Sequence, residues 1–451
     1  MDVETIATED LGDRSYVVHD GKVAVVVDPQ RDLDRVEAVL ARLAVECVAV
    51  LETHLHNDYV TGGYALARAH AASYLLAGAD DVAFDRVAVA DGDEITFGAL
   101  RITVVATPGH TVGHLAFVVG DGSGPPAAFT GGSLLYGSVG RTDLVDRART
   151  DELTHAQYRS VRRLVALLPG ESAVFPTHGF GSFCSSGATS GASASTIDAE
   201  RARNDALTTG DEDAFVATLL AGLTAYPAYY ARMGPLNRLG PSAADLSPVT
   251  AVDATDLGRR IAAGEWVVDL RSRTAFAKEH LGGTVGIAVD DQFSVYAGWL
   301  VPEGAPLTLV GESGEDIRAA QRQLARIGID RPDGAAVGAV RELANGHALR
   351  SYATTTFAQV AREIEPLVLD VRREDERRAS AIAGSTHIPL HELAGRIGDL
   401  DEERTVFVHC AIGTRAAIAA SLLDRAGRSV VLVDDDFANA SRVLAVGRPL
   451  H

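Results

Sequence analysis

The stretch Thr53–Tyr59, with the sequence THLHNDY, follows the apolar run VAVL at residues 48–51. Such a run is typical of a buried β-strand. Alternate residues of an extended segment point the same way, so His54, His56 and Asp58 can converge from the strand end and the loop after it. Two imidazoles and a carboxylate are ligands that zinc or iron accepts. The stretch therefore predicts a metal site at the end of a strand.

Two more histidines stand at comparable positions further along the chain. His110 lies in the motif TPGHTVGH, which follows the strand-like run at residues 102–105, and His178 lies in the motif PTH. A single histidine is usually structural, but these two together with the HxHxD spacing indicate a present or former metal site. Residues 197–207 and 213–223 are expected to be helical.

These motifs resemble the metallo-β-lactamase superfamily over about residues 1–240. Within it, the runs FTGGSLL at 129–135 and GRTDL at 140–144 resemble the persulfide dioxygenase and glyoxalase II branch. The resemblance implies an αββα fold with the site between two sheets, and one iron or zinc ion per chain. It also implies ligand roles for five residues, namely His54, His110, His56, Asp58 and His178.

Two positions depart from the family pattern. Tyr59 stands where the usual HxHxDH run has a last histidine, which helps to hold a second metal. Gly132 stands where a persulfide dioxygenase has the carboxylate of its two-histidine, one-carboxylate iron site, and glycine cannot ligate a metal. Three alternatives stay open: a set of His54, His56 and His110, a set completed by Asp58 or His178, or an empty site in a fold that serves as a scaffold.

Cys184 lies six residues after His178 in a Ser/Gly-rich segment, residues 179–196, which is expected to be a long loop. If His178 faces the metal, this thiol lies at the mouth of the pocket, where it can carry a sulfane sulfur. The alternative is a loop cysteine without a role.

A second chemical motif follows much later in the chain. The run TVFVHC, residues 405–410, predicts a strand that ends in Cys410, and AIGTR then leads into a predicted helix. A thiol at a helix N-terminus faces backbone N–H donors and the positive end of the helix dipole, and Arg415 adds a cation. Both features make Cys410 nucleophilic. The loop, with Gly413 at its turn, resembles the active loop of rhodanese sulfurtransferases, whose short form suits a sulfur atom rather than a phosphate.

The second half of the chain contains an internal repeat, because WVVDLR at 266–271 matches LVLDVR at 367–372. In the first copy Gly311 stands at the cysteine position and Asp316 at the arginine position, so this copy has no nucleophile. The predicted fold class is α/β and multi-domain. The predicted domains are residues 1–245, metallo-β-lactamase-like with a C-terminal helical extension; residues 246–349, an inactive rhodanese-like module; and residues 350–451, a rhodanese domain with an intact loop.

The composition narrows the classes of partner. The net charge of −20 disfavours nucleic acids and anionic membranes, and no run approaches the roughly 18 apolar residues of a membrane span. Three scattered cysteines do not make a disulfide framework, and the acidic start of the chain has no apolar signal segment. We expect a cytoplasmic protein with reduced thiols, and a homo-oligomer is compatible with the sequence.

Together the motifs favour an enzyme of sulfur metabolism. In this hypothesis Cys410 accepts a sulfane sulfur as a persulfide and passes it to a thiol or to sulfite. The metal domain oxidises a low-molecular-weight persulfide to sulfite, so the partners are small thiols, persulfides, thiosulfate or sulfite. Two alternatives stay open: a glyoxalase II-like thioester hydrolase that uses metal-activated water, which Tyr59 and Gly132 disfavour, and a metal-free binding module beside an active rhodanese.

Overall fold

The computed structural model describes residues 1–187 and 191–448. The chain forms two compact units, one of Met1–Asp245 with Leu324–Asp330 and one of Leu246–Gln323 with the residues from Arg331 onward. Residues 188–190 of the predicted loop and residues 449–451 of the predicted third domain lie outside the described residues. Among the described residues, no helix is long and apolar enough to cross a membrane.

The first sheet of the N-terminal unit has six strands whose spatial order follows the chain. The first three strands pair antiparallel, and the later pairs are parallel. Its strands are β1 (Asp2–Thr8), β2 (Asp13–His19), β3 (Val23–Val27), β4 (Glu46–Leu51), β5 (Ser73–Ala77) and β6 (Val87–Val89). The runs VAVVV and ECVAVL in β3 and β4 are continuously apolar or nearly so because both faces of this part of the sheet are covered.

The second sheet of this unit also has six strands in chain order. Only its β10–β11 pair is parallel, and the other pairs are antiparallel. Its strands are β7 (Glu94–Phe97), β8 (Leu100–Ala106), β9 (Leu115–Gly120), β10 (Ala127–Gly131), β11 (Ala173–Pro176) and β12 (Ser195–Thr196).

The two sheets pack face to face, and helices cover their outer faces. Tyr16 and Leu51 of the first sheet share one core with Phe117 and Phe129 of the second. Helices α1 and α2 pack on the outside of the first sheet, and α3 to α6 pack on the outside of the second. The helices are α1 (Asp34–Leu43), α2 (Gly63–Ala69), α3 (Thr150–Ala166), α4 (Ile197–Arg203), α5 (Asp205–Thr208), α6 (Glu212–Gly222) and α7 (Tyr230–Arg238). This arrangement confirms the predicted αββα fold.

One short segment later in the chain belongs to the N-terminal unit, namely Leu324–Asp330. Its buried Arg326 forms ion pairs with Asp10 and, at 2.8 Å, with Asp32. The Arg326 carbonyl also accepts a hydrogen bond from Val60 N–H at 2.7 Å. Burial works against the charged guanidinium, but the two carboxylates outweigh it and raise the Arg326 pKa. The N-terminal unit therefore contains a buried guanidinium, that of Arg326, whose charge is stabilised by two carboxylates.

The second unit begins with an α/β module around a four-stranded parallel sheet in the order β15-β13-β16-β17. Its strands are β13 (Trp266–Asp269), β14 (His280–Leu281), β15 (Val285–Gly286), β16 (Leu307–Gly311), β17 (Gly334–Val337) and β18 (Leu349–Arg350). Its helices are α8 (Ala254–Ala262), α9 (Arg273–Lys278), α10 (Phe293–Leu300), α11 (Gly314–Arg326) and α12 (Val340–Ala344).

A second α/β module follows, around a five-stranded parallel sheet in the order β19-β24-β23-β20-β22. Its strands are β19 (Ala353–Thr355), β20 (Leu367–Asp370), β21 (Ala381–Ile382), β22 (Thr386–His387), β23 (Val406–His409), β24 (Val430–Val433) and β25 (Val446–Gly447). Its helices are α13 (Phe357–Val360), α14 (Glu374–Ala379), α15 (Leu390–Arg396), α16 (Thr414–Arg425) and α17 (Phe437–Ala440).

The two modules share a strand order and a buried ion pair. The order β15-β13-β16-β17 of the first corresponds to β22-β20-β23-β24 of the second. Arg271 pairs with Asp269 at 2.7 Å, and Arg372 pairs with Asp370 at 2.7 Å. Each arginine also donates to the carbonyl eight residues further on, at 2.9 Å and 2.8 Å. The sequence DLR in the first module and DVR in the second thus form the same set of contacts after the equivalent strand. The three-domain division itself stays a prediction, since the two modules form one compact unit.

Candidate functional site

Five buried histidines gather where strands of both sheets of the N-terminal unit end. His54 and His56 follow β4, His110 and His114 lie in the connection between β8 and β9, and His178 follows β11. Their rings are close: the centroids of His54 and His110 are 4.8 Å apart, and His178 lies 5.3 Å from each. The four histidines predicted from the HxHxD, TPGHT and PTH motifs therefore meet in one cluster.

Hydrogen bonds leave one ring nitrogen of His54 and of His110 ready to bind an ion. The Thr53 hydroxyl donates to Asp28, so it accepts from His54 Nδ1–H at 2.8 Å. His110 Nδ1–H donates to the Arg141 carbonyl at 2.6 Å, and His110 Nε2 has no hydrogen-bond partner among the described residues. Burial and neighbouring histidines lower the pKa of both rings, that of His110 to about 3. Both imidazoles are therefore neutral, with the Nε2 lone pair available.

His178 is oriented by two carboxylates. Its Nδ1 lies 2.8 Å from Asp13 Oδ1 and 3.2 Å from Asp58 Oδ2, while its Nε2 lies 3.3 Å from His54 Nε2. Burial lowers the His178 pKa, but Asp58 and Asp13 outweigh it and raise the pKa well above its ordinary value. A carboxylate behind one ring nitrogen with the other nitrogen facing inward is the arrangement typical of metal-binding histidines.

His56 is held by a separate polar group and by Tyr59. Its Nε2 lies 3.1 Å from Glu52 Oε2, 3.4 Å from Asp28 Oδ1 and 3.0 Å from the Tyr59 hydroxyl. Burial lowers the His56 pKa, but Asp28 and Glu52 outweigh it and raise the pKa to about 9. The Tyr59 ring stacks on His56 with centroids 4.2 Å apart. Tyr59 thus packs and hydrogen-bonds at the position where the family pattern has a metal-binding histidine.

Gly132 leaves no room for a side chain. A Cβ built on Gly132 would overlap the His110 ring and would lie 2.7 Å from His110 Nε2. The Gly132 N–H donates to His114 Nε2 at 2.9 Å, and His114 Nδ1 in turn bonds the Thr107 hydroxyl at 2.8 Å. The carboxylate expected at position 132 is therefore missing, and the His110 ring fills its space.

Among the described residues, two donor groups contain more than one histidine, and these two groups share His178. His54, His56 and His178 offer ligand atoms within 4.8 Å of one another, and so do His110, His178 and Cys184. Asp58 groups with Asp13 on the Nδ1 side of His178, where it orients that ring. The imidazoles of His54 and His110, which are neutral and have their Nδ1–H groups bonded outward, fit a zinc or iron ion. The structure thus divides the predicted set of His54, His56 and His110 between two groups, and the ligand roles stay predictions.

Cys184 lies inside the cluster rather than at its mouth. Its side chain is 0% exposed, and its Sγ is within 4.8 Å of ligand nitrogens of His110 and His178. Burial raises the Cys184 pKa well above its ordinary value, and the Asp58 and Asp13 carboxylates add to the effect. The thiol is therefore protonated when no cation is near, which disfavours an exposed sulfur carrier.

The Cys410 loop has the geometry of a strand-to-helix turn. Cys410 follows β23 directly, and α16 begins at Thr414. The Gly413 N–H donates to Cys410 Sγ at 3.1 Å. Gly413 has a φ of 93°, and an added Cβ would meet the Asp434 carboxylate, so glycine is required at this turn. The turn points a backbone donor at the sulfur, as the sequence predicts.

Polar neighbours of Cys410 come from both modules of the second unit. Arg415 pairs through two hydrogen bonds with Glu376, at 2.6 Å and 2.8 Å. Burial lowers the Arg415 pKa, but this pair outweighs it and raises the pKa. Tyr296 of α10 lies near Arg415 and Cys410, and burial raises its pKa to about 12. Neither Glu376 nor Tyr296 belongs to a recognisable motif, so no sequence pattern predicts their place beside Cys410.

The equivalent loop of the first module has no such chemistry. Strand register pairs Asp269 with Val310 in one module and Asp370 with His409 in the other, so Gly311 occupies the position of Cys410. The Asp316 carboxylate accepts the N–H and the hydroxyl of Ser313, each at 2.9 Å. Asp316 therefore closes its own loop instead of serving as the cation that Arg415 supplies.

Three further residues of the histidine cluster were not predicted. Asp13, Asp28 and Glu52 are buried carboxylates that hold His178, Thr53 and His56. Asp28 follows β3 as His54 follows β4, so a polar residue directly after an apolar strand was the available signal. His114 was visible as the second histidine of TPGHTVGH, and it supports Gly132.

Known proteins resemble both halves of the chain. The rhodanese-like domain model matches residues 355–441. The mitochondrial persulfide dioxygenase ETHE1 of Bos taurus is 32% identical over 211 residues, which cover 45% of this chain and 72% of that protein. A hydroxyacylglutathione hydrolase of Cereibacter sphaeroides is 34% identical over 184 residues, covering 40% and 67%.

A crystal structure supports the fold. A metallo-beta-lactamase from Staphylococcus aureus superposes with a TM-score of 0.67 at 25% identity, covering 75% of this chain and 99% of that one. The rhodanese match includes the Cys410 loop, and the two relatives match in the half that carries the histidine cluster. The chain therefore belongs to the persulfide dioxygenase and hydroxyacylglutathione hydrolase family of metallo-β-lactamase-fold proteins, and it also carries a rhodanese-like domain.

Proposed function

We propose that this protein is a two-centre enzyme of sulfur metabolism, with sulfur transfer at Cys410 and metal-dependent persulfide oxidation at the histidine cluster. The observation that carries the proposal is the 3.1 Å hydrogen bond from Gly413 N–H to Cys410 Sγ at the start of α16. A backbone donor and a helix N-terminus stabilise negative charge on sulfur in the attacking thiolate and in the persulfide that follows.

The transfer step uses groups that this chain supplies. The Cys410 thiolate attacks the outer sulfur of thiosulfate, an S–S bond forms, and the S–S bond to the sulfonate breaks to release sulfite. An acceptor thiolate then attacks the outer sulfur of the Cys410 persulfide, which regenerates the Cys410 thiolate and leaves a small persulfide. Arg415, held by Glu376, adds positive charge near these anions.

The oxidation half rests on the histidine cluster. His178 would hold one iron or zinc ion together with imidazoles beside it, from among His54, His56 and His110. A bound iron would supply the redox chemistry with O₂. The proposed reaction consumes one persulfide, one O₂ and one water, and yields one thiol, one sulfite and two protons. The burial of the cluster excludes bulk water from this chemistry.

Cys410→Ser tests the transfer half. We expect this variant to lose thiosulfate-to-thiol transfer, because a serine hydroxyl cannot carry the sulfane sulfur. Cys47→Ser is the matched control: Cys47 is also buried, but it packs on the outer face of the first sheet and should leave transfer unchanged. Full transfer by Cys410→Ser would refute this assignment.

Metal analysis with O₂ uptake tests the oxidation half. We expect one iron per chain as isolated and O₂ consumption with glutathione persulfide, both reduced in His110→Ala. Zinc with thioester cleavage and no O₂ uptake would favour a hydrolase, the activity named for several relatives. Protein with no bound metal and no uptake after iron loading would refute this half and would leave the transfer half standing.

A further inference from the structure

We propose that Cys184 is a metal ligand, and that its thiolate supplies the anionic donor that position 132 cannot provide. The ligand set is His110, His178 and Cys184, with one zinc, iron or cobalt ion as the occupant. This inference rests on the proposed metal-dependent half of the function, and it names the residues that would hold the ion.

The first support is the unsatisfied nitrogen that faces this set. His110 Nε2 is fully buried and has no hydrogen-bond partner within the described part of the chain, while its Nδ1–H is committed to the Arg141 carbonyl. A buried imidazole nitrogen normally has a partner, and leaving it without one costs about 1–3 kcal/mol. In the part of the chain that the structure describes, the thiol grouped with this nitrogen is that of Cys184.

The second support is the spacing of the donors. Donor atoms bound to one zinc ion lie about 2.0–2.3 Å from it, so in tetrahedral geometry any two of them are about 3.3–3.8 Å apart. The ligand atoms of His110, His178 and Cys184 lie within 4.8 Å of one another. The side chains then need to close by at most about 1.5 Å to bind an ion.

The third support is the fixed position of Cys184. Its carbonyl accepts from Arg141 N–H at 2.8 Å, and its own N–H donates to the Ser182 hydroxyl at 3.1 Å. The next residues bridge to the GRTD segment, where Ser185 pairs with Gly140. The segment that holds Cys184 is thus hydrogen-bonded to the segment whose Arg141 carbonyl orients His110.

Charge favours a thiolate in this set. Gly132 contributes no carboxylate, so imidazole ligands alone leave the charge of a divalent ion uncompensated. Asp58 lies on the far nitrogen of His178, where it orients the ring. A thiolate with imidazoles is a donor set that selects zinc, iron or cobalt over magnesium or calcium.

Cobalt substitution tests the assignment without reference to turnover. We expect the purified full-length protein loaded with Co²⁺ to show a thiolate-to-cobalt charge-transfer band in the near ultraviolet. Cys184→Ser should lose the band and bind Co²⁺ at least tenfold more weakly. Cys47→Ser and Cys410→Ser are the matched controls and should keep the band, since neither thiol lies in a donor group with these histidines.

A second variant covers the case in which Cys184→Ser fails to fold. Cys184→Asp returns an anionic oxygen donor, and we expect it to bind Co²⁺ more tightly than Cys184→Ser but without the sulfur band. A band that persists in Cys184→Ser, or stoichiometric cobalt without a band in the unmodified protein, would overturn the assignment. If no metal binds at all, the proposed oxidation half fails as well, whereas bound metal without a sulfur band refutes this inference alone.

Discussion

The most stringent prediction concerns the effect of adding a side chain at Gly132. Gly132→Asp restores the carboxylate of the family pattern, but the added Cβ would overlap the His110 ring, 2.7 Å from its Nε2. The ring cannot swing aside without losing its 2.6 Å hydrogen bond to the Arg141 carbonyl. We therefore expect the aspartate to displace His110 and to destabilise the unit rather than complete a metal site.

The size of the effect follows from these two contacts. Overpacking a buried site costs about 1–3 kcal/mol, and loss of the His110 hydrogen bond adds about 0.5–1.5 kcal/mol. The sum is about 1.5–4.5 kcal/mol. For a domain of this size each kcal/mol lowers Tm by roughly 2–4 °C, so we expect a fall of roughly 3–18 °C.

The assay is thermal and urea unfolding of matched variants, with metal content measured in parallel. Gly132→Ala carries the same Cβ without the carboxylate and should be destabilised as well. Gly124→Ala is the control, because an added Cβ there meets nothing within 4 Å, and it should stay within about 0.5 kcal/mol. Wild-type stability of both Gly132 variants, or a Gly132→Asp protein that gains both metal and stability, would refute the reasoning.

Three other variants probe the buried charges. Arg326→Met should lower the free energy of unfolding by about 3–5 kcal/mol in urea, since it removes the buried cation that pairs with Asp10 and Asp32; a loss below about 1 kcal/mol would contradict this. Glu376→Gln should slow sulfur transfer roughly tenfold, or about 1.4 kcal/mol, by loosening Arg415, and an unchanged rate would show that the pair does not position the guanidinium. Burial raises the Asp370 pKa, but Arg372 outweighs it and holds the pKa at about 2. Because this folded-state pKa is depressed, Asp370 should contribute about 2 kcal/mol of stability above about pH 4, lost as the pH falls towards about 2. Asp370→Asn should flatten that part of the pH–stability curve.

Local patterns predicted much of the fold and of the candidate site. The apolar run before HLH identified β4, and alternation correctly brought His54 and His56 to its end. The CAIGTR run identified the turn into α16. Residues 197–207 were expected to form one helix, but the structure has α4 and α5, because the Asn204 side chain caps the Ala206 N–H.

The sequence patterns do not predict which residues from distant parts of the chain meet at the candidate site. His178 is oriented by Asp13, which lies 165 residues earlier in the chain, and no motif links the two. The sequence predicts a missing ligand at Gly132, but no pattern in it indicates that the His110 ring fills the space there. Such contacts depend on how the two sheets pack, and packing is not encoded in any single run of residues.

Two donor sets share His178, and this limits how many metal ions the two sets can bind together. A neutral imidazole whose Nδ1–H is held by a carboxylate has a single lone pair, on Nε2, and that pair can bind one ion. His178 belongs to both donor sets, and its Nδ1 is committed to Asp13. The two sets therefore cannot each bind an ion through His178 at the same time, so an ion in one of them leaves the other short of a donor.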